Sequence, residues 1–171
     1  MTPKQNTERF LEVVENHKAL IYKVAHAYCK DHEDRKDLIQ EVLIQLWRSF
    51  ERYDAQYKLS TWIYRIALNV AISWYRKTNS RAKLEAPIAE ELIYLFKDAE
   101  EAEVDENLEL LQAFIAQLNK LDRALILLYL EDKSQKEIAE ILGLSVSNVS
   151  TKVGRIKAKL RQKFDLLSSK S

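Results

Sequence analysis

The chain has 171 residues, a formal net charge of +1, 47% hydrophobic and 31% charged residues, and only two glycines and two prolines. That length holds one ordinary domain or two small ones, and so few chain breakers in an amphipathic composition argue for an all-α protein over one built on hairpins. No apolar run approaches the roughly 18 residues needed to cross a bilayer, no signal-peptide core follows residues 1–6, and the single cysteine, Cys29, excludes an internal disulfide framework; no direct membrane insertion and a cytoplasmic setting are therefore expected.

Residues 10–29 are rich in helix formers with recurrent apolar positions and predict a first helix. Over 34–50 two adjacent ladders, Leu38-Val42-Leu46 and Ile39-Leu43-Trp47-Phe50, predict a second with a wide apolar face. Its other side presents Asp37, Gln40, Glu41 and Arg48. A polar, tyrosine-bearing loop over 51–58 follows, and Ser60 is placed to cap a third helix running through about Lys77. There Trp62, Ile63, Ile66, Ala67 and Val70 are expected to face inward, leaving Arg65, Asn69, Arg76 and Lys77 for other work.

Charge is strongly segregated along the chain. Residues 58–83 hold six Lys or Arg and no acid, whereas 84–109 hold ten acids and one lysine. Residues 146–164 are again acid-free, with six basic residues. Two basic blocks flanking an acidic one point to distinct electrostatic surfaces and a domain boundary between about 78 and 105. Pro87 interrupts the acidic stretch, although 88–97 can still form a short helix.

The final block reads as two helices around a tight turn. Ser134 with Glu137 three residues later has the spacing of a capping box, Gly143 suits the left-handed end of that helix, and Ser145 can cap the next. Val146, Val149, Val153, Ile156, Leu160 and Phe164 recur as a buried stripe. The opposite face carries Ser147, Asn148, Ser150, Thr151, Lys152 and Arg155, residue types that read base edges and hold phosphates when a helix lies in the major groove. From this segment alone, a helical hairpin with a solvated basic face stays open.

The run from Asp37-Leu38-Ile39-Gln40-Glu41-Val42 through Leu46-Trp47, followed by Ser60-Thr61-Trp62-Ile63-Tyr64-Arg65-Ile66-Ala67-Leu68-Asn69-Val70-Ala71, resembles the second conserved region of bacterial RNA polymerase sigma factors. Lys136-Glu137-Ile138-Ala139-Glu140-Ile141-Leu142-Gly143-Leu144-Ser145-Val146-Ser147-Asn148-Val149 is similar to the fourth region. Both motifs occur in the family's order, and no other sigma region is recognisable, which resembles the short extracytoplasmic-function group of the sigma-70 family.

The resemblance implies two small helical domains, over 1–78 and 106–171, joined by an acidic linker over 79–105. It implies a factor without catalytic residues, cofactor or metal, which binds RNA polymerase core, reads the −10 and −35 promoter elements and assists strand opening. Asp37, Gln40 and Glu41 then match the surface that meets the polymerase clamp. Tyr53, Tyr57 and Asn69 match the −10 reader, where a base leaving the stack needs apolar or aromatic walls and hydrogen bonds to its edge. Arg65, Arg76 and Lys77 would hold phosphates there. Ser147, Asn148, Thr151, Lys152 and Arg155 match the −35 reader. RNA polymerase core and promoter DNA are the implied partners, with an anti-sigma factor as a further one that the sequence does not name. Two weak readers on a flexible linker gain effective concentration when the polymerase core fixes their separation.

Three features depart from the family's pattern. Ser150 stands where many relatives carry a basic residue, Gly154 lies inside the reading helix at a cost of about 1 kcal/mol against alanine, and the loop Tyr53-Asp54-Ala55-Gln56-Tyr57 lacks a glycine. The residues leave one competing function, a helix-turn-helix regulator that binds DNA without polymerase. A nucleic-acid enzyme is disfavoured, because no phosphate-cradling glycine loop or clustered acid site is present. His26, Cys29 and His32 lack carboxylate support and are expected to be ordinary packing and surface residues rather than metal ligands.

Overall fold

The computed structural model describes residues 2–74 and 106–169. Among these there are seven α-helices, one short 3-10 turn and no strand, so the all-α expectation holds. The chain divides into two compact units, Met1–Glu103 and Val104–Ser171.

Helix α1 (Pro3–Tyr28) begins well before the apolar periodicity because its start is fully capped. The Thr2 hydroxyl accepts from the Gln5 N–H at 3.2 Å, the Gln5 side chain accepts from the Thr2 N–H at 3.0 Å, and Pro3 occupies a position where no N–H is needed. Helix α2 (His32–Ser49) follows a three-residue corner and is capped by Asp31, which accepts from the Asp34 N–H at 3.1 Å. Arg35 reaches back to donate to the carbonyls of Lys30 at 2.8 Å and Cys29 at 3.4 Å. A 3-10 turn (Phe50–Arg52) ends the second ladder, and helix α3 (Leu59–Ser73) completes a three-helix unit in which each helix packs on the other two.

Phe10, Ile21, Leu38, Leu46, Ile63 and Leu68 are its largest fully buried side chains. Phe10 lies 5.0 Å from the Trp47 ring and 5.2 Å from the Phe50 ring, joining α1 to the end of α2 through tilted and edge-on aromatic contacts. Both expected α2 ladders are buried apart from the half-buried Trp47, and Ile44 is buried as well.

Helix α3 corrects three expectations. It starts one residue before Ser60, because the Lys58 carbonyl already accepts the Trp62 N–H at 3.0 Å, and no side chain caps it. It ends at Ser73, with Trp74 in an extended conformation, rather than continuing to Lys77. Its core face includes Ile63 and Ala67 as expected, but also Thr61, Tyr64, Leu68 and Ala71, while Trp62, Ile66 and Val70 are only half-buried. With Arg65 and Asn69 as the main polar markers in an apolar run, periodicity could not orient the helix.

The loop before α3 is tightly folded. Asp54 accepts from the Gln56 N–H at 3.0 Å in an Asx turn, and Ala55 takes the left-handed region with φ 63°. The missing glycine therefore has a conformational consequence.

In the second unit, helices α4 (Glu106–Gln117) and α5 (Lys120–Leu130) precede the expected hairpin of α6 (Gln135–Leu142) and α7 (Val146–Ser169). Ala124, Leu125, Ile126, Leu127 and Leu128 are consecutive buried residues, because α5 is packed by α4, α6 and α7 together. Asn119 caps α5, accepting from the Asp122 N–H at 2.8 Å. Arg123 donates to Leu118 O at 2.9 Å and Ala116 O at 2.7 Å, satisfying the end of α4.

Ser134 accepts from the Glu137 N–H at 3.1 Å as expected. The Glu137 carboxylate instead takes the Ser134 hydroxyl at 3.2 Å and lies 3.8 Å from Lys133 Nζ, so the reciprocal half of the expected capping box is not what it makes. Gly143 adopts φ 70°, ψ 34°, and Ser145 caps α7 by accepting from the Asn148 N–H at 3.1 Å. Val149, Val153 and Ile156 are buried, Leu160 and Phe164 half-buried. Val146 is a correction: it is 48% exposed at the first position of α7.

Two stability outcomes follow. Arg123→Ala should destabilise the chain by about 2 kcal/mol, the scale of charged hydrogen bonds to carbonyls left unmade, measured by denaturant unfolding; a loss below about 0.5 kcal/mol would show that solvent replaces the guanidinium. Ala55→Gly should stabilise it by about 0.5–1 kcal/mol, because relief of left-handed strain exceeds glycine's added unfolded-state entropy. A fall in thermal midpoint for that variant would contradict the strain assignment.

Candidate nucleic-acid interface

Helix α2 places Asp37, Gln40 and Glu41 on one side at three- and four-residue spacing. Asp37 and Gln40 are exposed; Glu41 is half-buried and accepts from Gln45 Nε2 at 3.2 Å. Arg48 is exposed two turns after Glu41. Acid and amide acceptors are thus fixed on a rigid helix whose other side is anchored in the core.

The loop and α3 form an aromatic arc. Tyr53 packs against Trp62 with ring centroids 5.2 Å apart, and its hydroxyl donates to the Tyr57 carbonyl at 2.5 Å. Trp62 also meets Phe50, at 6.4 Å. The Arg65 guanidinium lies over the Tyr57 ring, 5.2 Å from its centroid. Trp62 and Arg65, three residues apart on α3, therefore hold the loop tyrosines between them. Asn69 is exposed one turn beyond Arg65, and its carbonyl accepts from the Ser73 hydroxyl at 2.7 Å.

The structure brings Tyr53, Tyr57 and Arg65 into one cluster with Asn69 on the adjoining turn. Trp62, expected in the core, is half-buried and serves as the arc's inner wall. Sequence spacing showed its apolar helical position but not its contact with Tyr53, which depends on the folded loop. Arg76 and Lys77 lie outside the described residues, as do the acidic segment 79–105 and the helix expected over 88–97.

On α7, Ser147, Asn148, Ser150, Thr151 and Arg155 are exposed, and Lys152 is half-buried. The Thr151 hydroxyl donates to the Ser147 carbonyl at 3.0 Å, so its methyl and hydroxyl directions are set by the helix. The basic residues divide into two sets. Lys157 Nζ lies over the Tyr129 ring at 5.0 Å, and Lys163 Nζ lies over Phe114 at 5.4 Å and also contacts Gln117. Among the described residues, Arg155, Lys159 and Arg161 have no such ring contact and are exposed, and Lys163 is exposed as well. That partition is absent from sequence periodicity, because it depends on which rings α4 and α5 bring beneath α7.

Elsewhere, His26 stacks on Tyr22 at 5.8 Å and Cys29 is buried. Among the described residues no three His, Cys, Asp or Glu side chains converge as a metal set, and no helix is long and apolar enough to cross a membrane.

Comparison with known proteins agrees with this geometry. The model of sigma-70 region 2 matches residues 13–81 and that of sigma-70 region 4 matches 108–160, together more than half of the chain. The chain is 29% identical over 171 residues to the ECF RNA polymerase sigma factor SigW of Bacillus subtilis, covering 94% of this chain and 91% of SigW. It is 28% identical over 177 residues to the RNA polymerase sigma factor CnrH of Cupriavidus metallidurans, covering 96% and 91%. A solved structure of CnrH in complex with the cytosolic domain of CnrY shares the fold, with a TM-score of 0.63 at 23% identity over 95% of this chain and 94% of that one. Two matched regions in the expected order, on the helices that carry the exposed polar surfaces, show that the chain belongs to the sigma-70 family of RNA polymerase sigma factors, in its extracytoplasmic-function group.

Proposed function

We propose that this chain directs promoter-specific transcription initiation by joining RNA polymerase core and presenting two DNA readers, one on each compact unit. The observation that carries this reading is the pairing, in one chain, of an aromatic arc beside an exposed asparagine with a separate helix-turn-helix whose outer face bears Ser147, Thr151 and Arg155. The chain itself performs no covalent step; polymerase supplies the chemistry.

Asp37, Gln40 and Glu41 meet the polymerase, where acceptors fixed on a rigid helix suit a helix-helix contact. Tyr53 and Tyr57 wall a site for a base leaving the −10 duplex, and Asn69 reads its edge, since an amide offers both donor and acceptor. Arg65, with Arg76 and Lys77, holds phosphates along the opened strand. In the second unit Ser147, Asn148, Thr151, Lys152 and Arg155 enter the major groove of the −35 element. Residues 1–78, 79–105 and 106–171 then act as −10 domain, acidic linker and −35 domain. The protein works in the cytoplasm. An anti-sigma factor is a further partner in this reading, and the complex of CnrH with the cytosolic domain of CnrY supports a protein partner for this kind of fold.

Transcription reconstituted with polymerase core on a promoter library tests the function, and promoter binding of equal strength by the chain alone would make it a self-sufficient regulator instead. Gln40→Ala combined with Glu41→Ala should weaken core association by about tenfold or more, the scale of a central interface contact, with circular dichroism unchanged; undiminished affinity would remove the contact from α2. Asn69→Ala should lower permanganate reactivity of melted −10 thymines by about fivefold or more, as expected for one lost base-edge contact, while duplex binding changes less. Equal reactivity at matched occupancy would exclude Asn69 from strand opening.

A further inference from the structure

Gly154 occupies the interior of α7, where a glycine is unfavourable to the helix because it gives the unfolded chain extra freedom and packs nothing. Nothing within the chain requires it. A Cβ built on Gly154 meets no atom within 4 Å, and the residue is exposed. Intramolecular close packing and a left-handed backbone, the usual reasons for a glycine, are therefore both absent at this position.

Its surroundings are also kept clear. Gly154 follows Thr151 by three residues and Ser147 by seven, which places it on their outward side, next to Arg155. Ser150, one turn earlier, is small. Lys157, three residues later, lies over the Tyr129 ring, 5.0 Å from its centroid. The outer face of α7 thus carries no side chain at Gly154, between Ser150, Thr151 and Arg155, and a Cβ there would stand in open space.

We infer that Gly154 is a close-approach point for duplex DNA, where the absent side chain lets α7 sit deeper in the groove and so sets which base edges Thr151 and Arg155 reach. This rests on the proposed −35 role of α7 and adds to it a specificity-determining position that bears no polar group. A side chain at this point would hold the helix away from the duplex without disturbing the fold. Sequence preference would shift as reach changes, and the salt dependence of binding would not, because no phosphate contact is lost.

The test uses holoenzyme carrying the full chain. Duplexes are selected with the wild-type protein from a pool randomised across the −35 segment, and binding of the selected duplex is compared for wild type, Gly154→Ala, Gly154→Leu and Arg155→Ala. Gly154→Ala should weaken binding by about fivefold or more, as for one mismatched base pair, and Gly154→Leu further, with an unchanged salt slope. Thermal midpoints should rise, by about 4 °C for alanine. Wild-type affinity in Gly154→Ala alongside weakened Arg155→Ala overturns the close-approach role but keeps α7 on DNA. Full affinity in all variants overturns both. A lowered thermal midpoint in Gly154→Ala would assign the glycine to the fold and also overturn the inference.

Discussion

A helix that stops leaves backbone carbonyls and N–H groups without partners, and both units depend on how their short corners satisfy them. At the first corner Asp31 caps the start of α2 while Arg35, four residues on, turns back to the Cys29 and Lys30 carbonyls that follow α1. Asn119 and Arg123 repeat the device between α4 and α5 at the same spacing. Between α6 and α7 the upstream end is instead closed by Gly143, whose N–H reaches Ala139 O at 2.9 Å while the Leu144 N–H reaches the same carbonyl at 3.1 Å. A chain with only two glycines has few left-handed helix ends available. Arginines serve the corners before α2 and α5, whereas the corner between α5 and α6 is closed by Asp132 at φ 59°, with the Lys133 N–H reaching Leu128 O at 3.1 Å.

That rigidity is what makes α3 a platform. Trp62 is tied to Phe50 behind it and to Tyr53 in front, so the loop rests on a wall continuous with the core. On the proposed −10 role, aromatic faces presented without further ordering would lose little entropy when a base stacks on them. Ala55 in a left-handed conformation shows strain in the same loop, and strain of this kind is retained only where surrounding contacts hold it.

In the second unit, rings position two of the cations. Tyr129 draws the half-buried Lys157 and Phe114 the exposed Lys163 onto rings, while Arg155, beside Thr151, stays exposed. On the proposed function, two readers on separate units need not each bind tightly, because effective concentration supplies the remainder once polymerase joins them.

Amphipathic ladders in α2, the spacing of Ser134, Gly143 and Ser145, and the segregation of charge were legible without coordinates, because each follows from local periodicity or backbone chemistry. Those signals determined the all-α class, the helix-turn-helix and the outward set Ser147, Asn148, Thr151 and Arg155. They misjudged the ends and orientation of α3, whose apolar run has few polar markers, and the burial of Val146, at the first position of α7. The arc of Trp62, Tyr53, Tyr57 and Arg65, the back-reaching arginines and the lysines drawn onto rings join residues whose contact depends on loop closure or helix packing. Only the tertiary structure decided them, because one-dimensional spacing assigns a residue to a helix face but not to the ring, carbonyl or open space that meets it.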